Sequence, residues 1–144
     1  MLAIIADCYT PLLALFSLLY LKSRFDWKKQ LAAKGMLSII FPFVIAYTYV
    51  TLFAFIEAYF GWWSVMGGNF SSHTAIVMIL VFVLLRLDVI VGIISLISVL
   101  AYGYLMTVLN YHSWFDILTT MVACLPCWWM FVSFSLERKH DKHF

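Results

Sequence analysis

Apolar residues run nearly unbroken for about twenty positions at a time along this chain, and the polar residues gather in the gaps between them. Five such segments are legible, at 3–21, 36–60, 69–87, 89–110 and 115–135. A helix rises about 1.5 Å per residue, so crossing a hydrocarbon layer roughly 30 Å thick takes about 20 residues. Each segment therefore predicts one membrane-spanning helix. The third is the shortest in purely apolar terms, because it opens on the small and polar residues of "GGNFSSHTAIVMIL", 67–80. Pro42 and Pro126 fall inside spans and are expected to kink their helices. The first segment is expected to be retained rather than cleaved as a signal, since it lacks a basic leader and Asp7 interrupts it.

Composition makes lipid the expected solvent. Apolar residues are 65% of the chain and charged residues 11%, against roughly 25% charged in an ordinary soluble domain. The predicted fold is an all-α integral membrane protein, one bundle of about five transmembrane helices occupying residues 1–144.

The positions of the charges orient the bundle. Lys22, Arg24, Lys28, Lys29 and Lys34 lie between the first two spans, Arg86 lies between the third and fourth, and Arg138, Lys139 and Lys142 lie in the tail. With five spans these regions share one side, and they hold every Lys and Arg in the chain. The positive-inside rule makes that side, with the C-terminus, cytoplasmic. The N-terminus, the 61–72 loop and the 110–114 turn then face a periplasm, the exterior or a lumen. The connector "KSRFDWKKQLAAKG", 22–35, reads as an interfacial loop or short amphipathic helix. Arg86 and Asp88 are expected to pair at their turn.

Chemistry-bearing residues collect on the side without cations. His73 opens the third span, and "NYHSWFDIL" sets His112 and Asp116 four residues apart at the start of the fifth. On a helix that spacing puts both on one face, where the carboxylate can fix the imidazole tautomer and leave its other nitrogen basic. The same residues also fit interfacial hydrogen bonding, although acids at a membrane boundary are costly enough to suggest function. Glu57 and Asp7, near the same side, are either further acids of a site or members of a hydrogen-bond network. Trp62, Trp63, Trp114 and Trp27 read as interfacial anchors, and Trp128 and Trp129 as deeper packing or lipid contacts. Cys124-Leu-Pro-Cys127 lies within an apolar span, where burial disfavours thiolate and redox exchange; with Cys8 there is no disulfide framework.

Two stretches carry a family resemblance. "NFSSHTA", 69–75, resembles the second motif of the type 2 phosphatidic acid phosphatase superfamily, P-S-G-H, and more closely the F-S-G-H-T form of sphingomyelin synthases. "YHSWFD", 111–116, resembles the end of the third motif, H-x-x-x-D. The resemblance covers roughly 60–135. It implies a phosphohistidine mechanism in which His112 attacks phosphorus, Asp116 orients and charge-stabilises it, and His73 protonates the leaving oxygen. Asn69, Ser71 and Ser72 would contact substrate. No metal or cofactor is implied. The implied partners are membrane lipids, whether phospholipid, sphingolipid or polyprenyl phosphate, entering from the outer leaflet.

The chain also departs from that pattern. Ser72 stands where the motif has glycine, Leu105 and Met106 stand where the third motif has Ser-Arg, and no first motif, K-x6-R-P, precedes the loop. A non-catalytic structural or lipid-binding subunit of a larger membrane complex, with partner chains, is the alternative. A transporter or channel fits less well, since no span carries a run of charges. Nucleic-acid binding is unsupported, because the basic residues are scattered along a membrane face.

Overall fold

A computed structural model describes the backbone of residues 2–24 and 30–140 and the side chains of 3–24 and 36–133. Trp27, Lys28, Lys29, Lys34, Arg138, Lys139 and Lys142, which enter the orientation and anchoring arguments above, have side chains outside that range. All regular structure among the described residues is helical: α1 (Leu2–Arg24), α2 (Gln30–Phe60), a single turn α3 (Trp62–Val65), α4 (Ser72–Leu87), α5 (Val89–Val108), α6 (Trp114–Ala123) and α7 (Leu125–His140).

Four stretches are long and apolar enough to cross a membrane: Ala3–Arg24, Met36–Phe60, Val89–Val108 and Trp114–Ser133. The segment expected as a third span forms only the 16-residue α4, about 24 Å long. Residues 69–71 account for the difference, being used in a loop rather than a helix. What α4 lacks in length it makes up in position. Thr74, Ala75 and every residue from Val77 to Leu84 are buried, and α1, α2, α5, α6 and α7 all pack on it. A helix apolar on every side is a core element. The surrounding helices turn Leu18, Phe55, Ile90, Ile94 and Trp129 outward, as lipid-facing surfaces do.

The tight points of the bundle are made by small residues. A Cβ on Gly92 would lie 2.5 Å from Cα of Leu85, so the α4–α5 hairpin closes only with glycine there. Small residues let helix backbones approach in this way. At the same turn Asp88 caps α5, accepting from the Ile90 and Val91 N–H groups at 3.0 and 3.3 Å. It also accepts from the Tyr20 hydroxyl at 3.1 Å and pairs with Arg24. The ion pair expected with Arg86 is thus made with Arg24 of α1, 64 positions away in sequence. Backbone amides hold the Asp88 carboxyl below its ordinary range, Val91 foremost, against a smaller opposing effect of burial.

The last span comprises α6 and α7, which meet at Cys124, two residues before Pro126. The helical pattern is interrupted at Cys124, whose N–H is shared between the Thr120 and Met121 carbonyls, and α7 begins at Leu125. Pro126 falls in the first turn of α7, where its missing N–H leaves no bond unmade. Pro42 is buried within α2, which continues through it as one helix. Cys124 and Cys127 are both buried free thiols.

Candidate active site between the 67–71 loop and the start of α6

At one end of the bundle the loop after α2 is folded against the start of α6. The Glu57 carboxylate accepts from the Trp63 backbone N–H at 2.8 Å, and the Trp63 indole N–H donates to the Thr119 hydroxyl at 2.8 Å. Trp63 packs edge-on against Phe53 and Phe70. It is 7% exposed, so it is a packing residue and not the interfacial anchor its loop position suggested. Trp62 and Trp114 are exposed, as anchors would be.

Two glycines then turn the chain. Gly67 has φ 77°, a region that favours glycine. A Cβ on Gly68 would meet Asp116 Oδ1 at 2.7 Å and the Phe115 ring at 2.8 Å, so Gly68 is what allows the loop to reach the carboxylate. Beyond it, Ser71 caps α4. Its hydroxyl accepts from Thr74 N–H at 3.3 Å and shares a 2.8 Å hydrogen bond with the Thr74 hydroxyl, and its own N–H donates to the Thr120 hydroxyl at 3.1 Å.

The start of α6 supplies the second half. Ser113 is the N-cap and Asp116 the third helical residue of a reciprocal capping box. Asp116 Oδ2 accepts from Ser113 N–H at 2.8 Å, and Oδ1 accepts from Asn69 N–H at 2.7 Å. This carboxylate, 4% exposed, therefore bridges the loop and the helix.

His112 does not share a helix with Asp116, contrary to the spacing argument. It precedes the cap, in a turn where Asn110 takes φ 58°, and that turn brings its Nδ1 to 3.7 Å from Asp116 Oδ2. This is an ion-pair approach and too long for a hydrogen bond. Nδ1 is buried with no hydrogen-bond partner. Burial pushes the His112 pKa below its ordinary value; His73 pushes the same way and Asp116 opposes both. The imidazole is consequently neutral at pH 7.

These residues frame a polar cavity of 510 Å³ whose walls include Gly68, Asn69, Thr107, Asn110, His112 and Asp116. Of the sequence candidates, Asn69, His112 and Asp116 meet there. Ser71 is wholly buried beneath, as a cap. His73 is exposed in the first turn of α4; it lies outside the cavity wall but acts on the charge of His112. Ser72 lines a separate groove with Thr51 and Phe55 of α2. Glu57 is committed to Trp63, and neither it nor the exposed Asp7 lines the cavity. Among the described residues no Lys or Arg lines it either; Arg24 is paired with Asp88 at the opposite end of α4. Among the described residues no three His, Cys, Asp or Glu side chains converge as a metal site.

Thr107 and Asn110 are wall residues that carried no motif, and Thr119 and Thr120 are supports hidden inside an apolar run. The capping box was legible as S-x-x-D in "SWFD", though H-x-x-x-D overlies it. Comparison of the chain with family models, with characterised proteins and with solved structures finds no match.

Proposed function

We propose that this cavity receives a lipid head group, and that the protein is a membrane lipid phosphatase or head-group phosphotransferase working through a phosphohistidine. The observation that carries the reading is a neutral, half-enclosed His112 whose partnerless Nδ1 faces a buried carboxylate inside a polar cavity. A small closure brings Nδ1–H to Asp116, which leaves Nε2 with its lone pair as nucleophile.

In the reaction Nε2 of His112 bonds to phosphorus as the phosphorus–oxygen bond to the leaving group breaks. Asp116 stabilises the imidazolium so formed, and His73 gives a proton to the departing oxygen. In the second half, water or an alcohol attacks phosphorus, His73 takes its proton, and the phosphorus–nitrogen bond breaks. With no cation among the described residues of its wall, the cavity favours a singly charged phosphodiester over a phosphomonoester, whose second charge those residues would not offset. The motif resemblance at 69–75 and 111–116 supports the same assignment. In this reading α4 is the third of five spans, the basic end is cytoplasmic, and substrate enters from the opposite leaflet.

A second reading has one observation in its favour. Both Asp116 oxygens already accept backbone N–H groups, which suits a purely structural carboxylate in a non-catalytic, lipid-binding subunit. The two part on an assay of head-group or phosphate release by purified protein in nanodiscs, using phosphatidate, phosphatidylcholine with ceramide, and polyprenyl phosphate. The enzyme reading expects turnover of at least one lipid, reduced about 100-fold or more in His112→Ala and in His73→Ala. Inert wild-type protein across that panel would give the subunit reading the lead.

A further inference from the structure

A second cavity, larger than the first, lies on the other side of α4. Helices α1 and α2 each pack on α4 yet diverge from one another, leaving a slot of 710 Å³ with Leu80 and Val83 of α4 as its floor. That volume is in the range of small-molecule sites. Its sides are apolar, Leu18 and Leu21 on α1 facing Ile39 and Phe43 on α2. The Ser17 hydroxyl in the wall is already bonded to the Leu13 carbonyl at 2.8 Å, so among the described lining residues no hydrogen-bond donor is offered along the length of the slot.

Polarity appears at one end only. Lys22, in the last turn of α1, lines the slot, and it makes no ion pair with any described residue. Arg24, one half-turn on, is different: Asp88 and Tyr20 hold it. A cation with a long apolar stem at the mouth of an apolar slot matches an amphiphile with an anionic head. Five of the basic residues in the sequence, Lys22 to Lys34, fall from the last turn of α1 to the first turns of α2.

We propose that this slot holds one acyl chain of an anionic phospholipid from the leaflet at the basic end, with its phosphate against Lys22. The bound lipid fills the wedge between α1 and α2 and completes the packing around α4. The assignment is independent of the chemistry at His112, which lies at the other end of the bundle.

Native mass spectrometry of the purified full-length protein, titrated separately with a phosphatidylglycerol and a phosphatidylcholine of identical chains, tests it. One phosphatidylglycerol should bind about fivefold more tightly than the phosphatidylcholine, the effect expected of one lysine near an anionic lipid. Lys22→Gln should bring the two lipids level. Ala14→Phe should weaken both by filling the slot; Leu18→Trp does the same one turn further along α1, and circular dichroism checks that each variant is folded. Equal binding of the two lipids by wild type, a preference that survives Lys22→Gln, or folded slot-filling variants that bind both lipids undiminished would overturn the proposal.

Discussion

The two ends of the bundle are each organised by an aspartate at the start of a helix, and they differ in what the carboxylate faces. Asp88 caps α5 and faces a permanent cation, Arg24, with Tyr20 completing the contact. Asp116 closes the capping box of α6 and ties down Asn69, but what it faces is a neutral imidazole 3.7 Å away with an unused nitrogen. The first arrangement is finished; the second leaves a titratable group short of a partner in a cavity. The same capping chemistry thus yields a finished latch at one end and an unfinished contact inside a polar cavity at the other.

The largest expected difference between the ends is in stability. Asp116→Ala strands two backbone N–H groups in a buried setting, at about 1–3 kcal/mol each. Thermal unfolding in detergent should show that loss, and Asp116→Asn, which keeps one acceptor oxygen, should recover part of it. Gly68→Ala pushes a Cβ against Asp116 and Phe115 and should cost about 1–3 kcal/mol. Head-group release should fall with it, because the loop carrying Asn69 moves. Ser113→Ala removes a cap, worth about 1 kcal/mol. Asp88→Asn should lose less than Asp116→Ala, and the loss should shrink as salt is raised, since the Arg24 pair is exposed to screening.

The pH dependence sharpens the contrast. The Asp88 carboxyl is held below its ordinary range. Its stabilisation is complete above the unfolded value of about 3.9 and is lost as pH falls through the lower folded value. His112 is also lowered, but it is a base, so its neutral form is the one that folding favours. Its contribution is complete above the unfolded value of about 6.5 and is lost as pH falls from there to the folded value. Stability measured from pH 8 to pH 3 should accordingly drop in two stages. His112→Ala should remove the upper stage and Asp88→Asn should reduce the lower. The acidic limb of any activity profile should lie below about pH 6.5.

How much of this the sequence displayed follows from the range of each interaction. Spanning helices are legible because lipid demands about twenty apolar residues in a row, and α1, α2 and α5 fell near their expected bounds. The shortness of α4 was hidden, since Ser71 as a cap and Gly68 as a point of close approach depend on contacts with Thr120 and Asp116, nearly fifty positions away. At the site, His112, Asp116 and Asn69 could be named from their motifs. Their geometry could not, because H-x-x-x-D suggested one helix face while Ser113 starts the helix one residue too late for His112 to join it. The Arg24–Asp88 pair was out of reach, since Arg86 was nearer in sequence and only the fold brings α1 to that turn.

The central claim is that His112 bonds to phosphorus. The most direct test is to mix protein in nanodiscs with a turned-over lipid, quench in alkali within the first turnover, and map modified peptides by mass spectrometry. The account predicts a phosphoryl or head-group phosphoryl adduct on His112, absent in His112→Ala and longer-lived in His73→Ala. Product formed with no adduct on His112, or with an adduct on another residue, would contradict it.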